Sequence, residues 1–255
     1  MKIIVAVKQV PVRDSLIHID SSGRWLDEGE LSFEINEPDA YALEAALLLK
    51  EKHGGEVVVL CAGPERATQT MREALAKGAD RAIHVEAEDL VRMDTFGVAR
   101  LLAAAIADEK ADLILTGLQS EDLGLGQTGV VMAEVLGIPH ATIIMEIELE
   151  ESGGRIRVKR ELEEGWFQTV EMPLPALLTI QSGISKLRYA TLMGIKKAKT
   201  KEVRRVAAGA MPEATVSLER VYPPQKKKET RMIGGTPTEA AAALADVLQF
   251  EVRVI

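Results

Sequence analysis

The chain has 255 residues, enough for one large domain or for a main domain with an appendage. It is 47% hydrophobic, 27% charged and only 4% aromatic, an ordinary globular composition that leaves few stacking platforms for bases or sugars. A net charge of −8 argues against nucleic acid or an anionic membrane as the main partner, and the single cysteine, Cys61, excludes internal disulfides and suits a reducing cytoplasm.

The chain opens on Ile3-Ile-Val-Ala-Val7, a continuous β-branched run expected of a strand covered on both faces in a parallel sheet. This apolar run is too short for a signal peptide, and no stretch reaches the roughly 20 apolar residues that cross a bilayer, so a soluble, cytoplasmic protein is expected. Pro11 ends the strand. Residues 12–33 alternate weakly around Ser21-Ser-Gly23 and read as an excursion or hairpin. Asn36-Glu-Pro-Asp39 then opens a helix from about Ala40 to Lys52, with Asn36 a candidate N-cap and Pro38 in the first turn.

Glu56–Cys61 reads as the second strand, Glu65–Lys77 as an amphipathic helix closed by Gly78, and Arg81–Val85 as the third strand. A helix over Thr95–Asp108 and a fourth strand over Ala111–Leu115 follow. Strand and helix alternate through short loops, the pattern of a parallel sheet wrapped by helices. Ligands of such sheets bind beyond the C-terminal strand ends, where the strand order switches. Three turns leaving strand ends carry small residues, after Ala6, after Cys61 and after Leu115, and are expected to converge on one ligand.

The third of these turns carries the strongest signal. Leu113-Ile-Leu-Thr-Gly117 hands over to the loop Leu118-Gln-Ser-Glu-Asp-Leu-Gly-Leu-Gly-Gln127, and Thr128–Leu136 reads as a helix. A buried strand, a glycine-punctuated loop and a helix N-terminus together present backbone N–H groups and a positive dipole end to an anion. The loop matches neither Gly-x-x-x-x-Gly-Lys-Ser/Thr nor Gly-x-Gly-x-x-Gly, so spacing alone leaves nucleotide binding and a plain surface loop both open. Glu121 and Asp122 could serve acid–base work, but adjacent loop carboxylates rarely aim at one atom. His18, His53, His84 and His140 stand without metal-ligand spacing, and no serine or cysteine nucleophile motif occurs. The absence of a catalytic constellation points to a carrier or binding subunit.

A strand at Ala141–Ile147 follows. Residues 148–154, Arg155–Arg160 and Gln168–Val170 then alternate as antiparallel hairpins do, and Leu177–Ile180 is a last buried strand. One α/β domain is expected to close near residue 190. The remainder, 191–255, carries basic runs at Lys196–Arg205 and Lys226–Lys228, then Pro223-Pro224, Gly234-Gly235 and Pro237, and an Ala-rich helix from Thr238 to Gln249. It ends in Phe250-Glu-Val-Arg-Val-Ile255 and reads as an arm that lies on another subunit.

Three segments together resemble the beta subunit of electron transfer flavoprotein. They are Thr116-Gly-Leu-Gln-Ser-Glu-Asp with Gln127-Thr-Gly129; Val158–Gly165 with Gln168–Val170 and Pro175–Thr179; and Leu187-Arg-Tyr-Ala-Thr-Leu192 before a lysine-rich helix. The resemblance spans residues 1 to about 205. It implies an α/β, Rossmann-type nucleotide-binding fold related to the adenine nucleotide alpha hydrolases, with a β-hairpin addition and a C-terminal arm. It implies a structural AMP on this subunit and FAD held mostly by an alpha subunit. The AMP site would map onto Ala6, onto Asn36, Glu37, Pro38 and Asp39, onto Ala62, and onto the loop Gly117, Leu118, Gln119, Ser120, Glu121, Asp122, Leu123, Gly124, Leu125, Gly126, Gln127 and Thr128. The N–H groups of Gly124, Gly126, Gln127 and Thr128 would hold the phosphate, with the Thr128 hydroxyl adding a bond. Arg188, Tyr189 and Leu192 would dock acyl-CoA or other dehydrogenases, with Leu192 as the apolar anchor, and electrons would pass on through a quinone-linked oxidoreductase to the respiratory chain. No residue of this subunit would be catalytic, and no metal is implied. Two alternatives stand beside this reading: a bifurcating flavoprotein with a second FAD in the AMP site, and a stand-alone adenine-nucleotide sensor. Gln127-Thr-Gly129 favours AMP, since bifurcating members tend towards Gln-Val-Gly.

Overall fold

The computed structural model describes the whole chain except residues 89, 91, 92, 151, 152, 210–213, 225–229 and 255. The lysine run at 226–228, part of the expected turn at 148–154 and the last residue of the terminal apolar segment therefore lie outside the described residues. The chain divides into a unit spanning Met1–Val221 and a second spanning Tyr222–Ile255.

In the first unit the strands β1 (Lys2–Ala6), β4 (Glu56–Gly63), β5 (Arg81–Glu86) and β6 (Leu113–Gly117) alternate with helices α1 (Glu37–His53), α2 (Ala67–Lys77) and α3 (Thr95–Ile106). Two short strands, β2 (Gln9–Pro11) and β3 (Phe33–Ile35), pair antiparallel and close the expected excursion. After β6 come α4 (Thr128–Leu136), β7 (His140–Leu149), β8 (Arg155–Glu161), β9 (Phe167–Pro173), β10 (Ala176–Ile180), α5 (Leu192–Ala198) and β11 (Val203–Ala207). Among the described residues the main sheet runs β11-β5-β4-β1-β6-β10-β7-β8-β9. Its pairings are parallel from β11 to β7 and antiparallel across β7-β8-β9.

The continuous apolar runs are legible as buried strands because both faces of the sheet are covered. Ile3 and Val5 pack with Leu43, Leu47, Met71 and Leu75 of α1 and α2. Ile4 faces the other way, with Leu60, Ile83, Leu102 and Met132, under α3 and α4. Burial of alternate side chains into two separate cores is what removes the polar–apolar alternation of a half-wet strand.

Strand β1 lies between β4 and β6. The chain leaves β1 through α1 towards β4 and β5, then returns through α3 to β6 on the other side. This reversal makes the gap between the C-terminal ends of β1 and β6 the switch point of the sheet.

Two differences from the sequence reading have physical causes. Val203–Ala207 read only as a basic run, but it is the edge strand β11, paired with β5 in register from Val203 opposite Ala82 to Ala207 opposite Glu86. Its Arg204 and Arg205 point charge into water, a usual protection of a sheet edge, and so break the apolar signal. They bind Glu109, and Glu65 with Glu86, respectively. The first unit runs on past this strand to Val221, where the α/β domain was expected to close near residue 190.

In the second unit Pro237–Asp246 forms α6, started by a reciprocal capping box between Thr236 and Glu239, and wider helical turns continue it over Val247–Val252. No residue of α6 is buried, and Phe250, Val252 and Val254 are exposed. Among the described residues, no helix is long and apolar enough to cross a membrane.

Candidate functional site

The three small-residue turns meet because β4, β1 and β6 are neighbours in the sheet. Ala6, opposite Leu60, and Ala62 line the same face on adjacent strands, each a small side chain at its strand's C-terminal end.

The loop after β6 is tied to the start of α1 by two side chains. Asp39 is buried, and its two carboxylate oxygens accept the N–H of Gly117 and the N–H of Lys8, each at 2.8 Å. One carboxylate thus clamps the ends of β1 and β6 together. Burial pushes Asp39 up to about 6, against the opposing pull of those two N–H donors. Asn36, 1% exposed, donates from Nδ2 to the Gln119 carbonyl and accepts the Glu121 N–H at Oδ1, both at 3.0 Å.

This use of Asn36 corrects the sequence reading. Asn36 does occupy the N-cap position of α1, which begins at Glu37 rather than Ala40, but its side chain makes no cap bond. Both of its polar atoms are committed to the loop instead.

Lys8 was missed from sequence, although its place two residues after Ala6 at a strand end was the available signal. Its ammonium reaches Asp122 Oδ1 at 2.7 Å and Ser120 Oγ at 3.4 Å. Burial pushes Asp122 up, but the Lys8 charge and the hydrogen bonds of Lys8, Ser120 and Leu123 outweigh it and hold the carboxyl below its ordinary range. Asp122 is therefore an anchor of the loop. Glu121 lies beside it with its backbone N–H on Asn36 and shares no reacting centre with it.

Gly117 sits where no side chain fits, since a Cβ there would fall 2.7 Å from the Asp39 nitrogen. Gly124 and Gly126 both take φ near +63°, turning the chain back towards α4. The Gly124 N–H closes this turn on the Ser120 carbonyl at 2.9 Å, so it is not free for an anion as expected. Among the described residues no acceptor takes the N–H groups of Gly126, Gln127 or Thr128, and no side chain caps α4. These three donors lie at the positive end of the helix dipole. Glu37 is exposed while Pro38 is buried, and Leu118 is half-buried. Leu123 and Leu125 have exposed side chains.

The second group of expected residues lies apart from the loop. Tyr189 is 92% and Leu192 83% exposed, and Leu192 is the first residue of α5. Thr191 caps this helix by accepting the Gly194 N–H at 3.0 Å. Arg188 does not share this exposure, because its guanidinium turns inward onto Glu44 of α1.

Elsewhere, burial pushes the Cys61 thiol up to about 12, the behaviour of a packed apolar residue. Glu65, His84 and Glu86 offer ligand atoms within 4.8 Å of one another, but Arg205 already bridges the two carboxylates at 2.6 Å each.

A mostly parallel sheet with helices on both faces, and a glycine-turned loop clamped at its switch point, define an α/β protein of the Rossmann type. The electron transfer flavoprotein domain model matches residues 24–211. The electron transfer flavoprotein subunit beta of Methylophilus methylotrophus is 37% identical over 259 residues, covering 97% of this chain and 98% of that one. Its counterpart from Bacillus subtilis (strain 168) is 34% identical over all of both chains. That from Syntrophomonas wolfei is 36% identical over 255 residues, 100% of this chain and 98% of that one. The chain belongs to the electron transfer flavoprotein beta-subunit family. Membership places it in electron transport with a flavin, and a beta subunit implies an alpha subunit as partner.

Proposed function

We propose that the chain binds AMP structurally at the switch point, helps to enclose an FAD held by the alpha subunit, and docks acyl-CoA or other dehydrogenases through Tyr189 and Leu192. The observation that carries this reading is the loop at 117–128. Asn36, Asp39 and Lys8 hold it by its first half, leaving the N–H groups of Gly126, Gln127 and Thr128 free at a helix start. Three free donors in the positive field of α4 suit a phosphate, and Ala6 and Ala62 leave room for an adenosine against the strand ends. The flavin, when bound, supplies the electron chemistry. The residues of this chain supply position, a rigid neighbour and a docking face. Electrons would leave through a quinone-linked oxidoreductase towards the respiratory chain.

Co-expression with the alpha subunit, followed by denaturation and identification of the released nucleotides, tests the site. One FAD and one AMP per heterodimer is the expected result. Two FAD would replace this reading with bifurcation, and ATP on a chain that binds no alpha subunit would replace it with a sensor.

For docking, Leu192→Ala is expected to slow flavin reduction by an acyl-CoA dehydrogenase about tenfold at subsaturating concentration, the equivalent of roughly 1.4 kcal/mol. FAD content should stay at one per heterodimer. Stopped-flow rates equal to the wild type would remove Leu192 from the docking face.

A further inference from the structure

Arg188 stands one residue before the most exposed tyrosine of the chain, yet its side chain is spent inside the protein. Its Nε and Nη2 donate to Glu44 at 2.9–3.1 Å, and Nη1 donates to Glu51 at 2.6 Å. Its backbone N–H also reaches Glu44, at 3.2 Å. Glu44 is only 5% exposed and sits on α1, five residues after the Asp39 clamp. Both guanidinium edges facing the protein are therefore occupied, by one buried and one exposed carboxylate.

From this geometry we infer that Arg188 is a positioning residue: its fork onto Glu44 fixes the turn that presents Tyr189 and Leu192, and it makes no contact with the redox partner itself. The inference rests on the docking reading above. A planar guanidinium held by two parallel bonds fixes direction as well as distance, which a lysine ammonium cannot do. The backbone bond from the same residue to the same carboxylate fixes the main chain, so Tyr189 is presented from a point with little freedom. On the far side of Leu192, α5 is held separately. Arg72 donates to the carbonyls of Ala198 and Lys201, and the Lys201 ammonium bonds the carbonyls of Leu75 and Ala79. Between these two holds Ala190 packs against the core, while Tyr189, Leu192 and Met193 stand exposed, and Arg188 is the first hold in the chain.

The test uses the flavin-loaded heterodimer carrying Arg188→Gln. A companion Glu44→Gln/Arg188→Gln variant leaves no buried carboxylate unpaired and so guards against simple misfolding. Amide exchange over residues 186–193 and the kinetics with an acyl-CoA dehydrogenase are measured together, with Leu192→Ala as reference. Both Arg188 variants are expected to exchange at least about tenfold faster in this segment and to raise the KM for the dehydrogenase about tenfold with kcat retained. Arg188→Lys should fall in between, since it keeps the charge but loses the fork.

A raised KM with unchanged exchange would overturn the inference, because Arg188 would then act by touching the partner. Faster exchange with an unchanged KM, while Leu192→Ala still slows transfer, would also overturn it and leave the docking reading intact. If neither Leu192→Ala nor the Arg188 variants alter transfer, the docking reading fails and the inference falls with it.

Discussion

Replacing Asp39 by alanine is expected to cut nucleotide retention by the heterodimer at least tenfold, about 1.4 kcal/mol of binding, while lowering stability only modestly at neutral pH. The substitution removes the one acceptor shared by the Lys8 and Gly117 N–H groups. Two partly buried donors left unpaired cost about 1–3 kcal/mol each. The loop would lose its hold on the end of β1, and the donors of Gly126 to Thr128 would lose their fixed position.

A second effect opposes the first. Burial raises the Asp39 pKa from 3.8 to about 6, so its ionised form is disfavoured in the folded state, and alanine removes that burden. The sign follows from linkage. The contribution of a group whose folded pKa is raised is fully present below the unfolded value and is lost as pH rises through the folded one. The stability gap between wild type and Asp39→Ala should therefore be widest near pH 4 and should narrow by on the order of 3 kcal/mol by pH 7. Urea titrations across this range check it. A gap that widens with pH would mean that Asp39 is stabilised as an anion and is not held at a desolvation cost.

Gly117→Ala should be as damaging, for a purely steric reason. The added methyl would lie 2.5 Å from Asp39 Oδ1, 2.7 Å from the Asp39 nitrogen and 2.7 Å from the Pro38 carbonyl carbon. Two of these are main-chain atoms of the first turn of α1, so no side chain can swing aside. Overpacking of this kind costs about 1–3 kcal/mol, occasionally more, or roughly 2–12 °C in Tm for a domain of this size. On the AMP reading proposed above, the nucleotide should also be lost as α1 moves away from the loop. Gly124→Ala is the informative control. Its methyl meets nothing closer than the Ser120 oxygen at 3.9 Å, and only its φ of +63° resists an L residue. A thermal scan in which Gly117→Ala melts no lower than Gly124→Ala would refute the close approach of α1 to β6.

The two substitutions also mark where the sequence was readable. The buried strands and their helices could be read because apolar runs and turn residues report local burial. The glycines before a helix suggested an anion cradle there, beside the alternative of a plain surface loop. Its anchoring was hidden. Asn36 looked like an N-cap because asparagine is a good one, and nothing local says that its amide is taken by residues 83 and 85 positions away. Lys8 and Glu44 were passed over for the same reason, since their partners Asp122 and Arg188 lie 114 and 144 positions on. Arg188 was assigned with its exposed neighbours because residues adjacent in a loop look alike until one is seen to turn inward. The strand β11 was concealed by its own protective charges. Short-range pattern reveals elements and long-range pairing reveals what holds them, and the candidate site is mostly the latter.

The position of β1 in the sheet has a consequence for how the molecule comes to be folded. This strand is flanked by β4 on one side and by β6 on the other, and Lys2 bonds Asp112 across 110 residues. Strand β1 therefore acquires its second neighbour only once β6 at Leu113–Gly117 has been made, and β6 gains its own second neighbour, β10, later still. Until β6 is made, the side of β1 that will meet it stays unpaired along Ile3 to Val5, a template for the wrong strand. Contacts this distant in sequence close slowly. Production of the chain should thus be limited by self-association of nascent or refolding molecules, and low temperature or chaperone supply during expression should raise yield more than any strengthening of the finished fold.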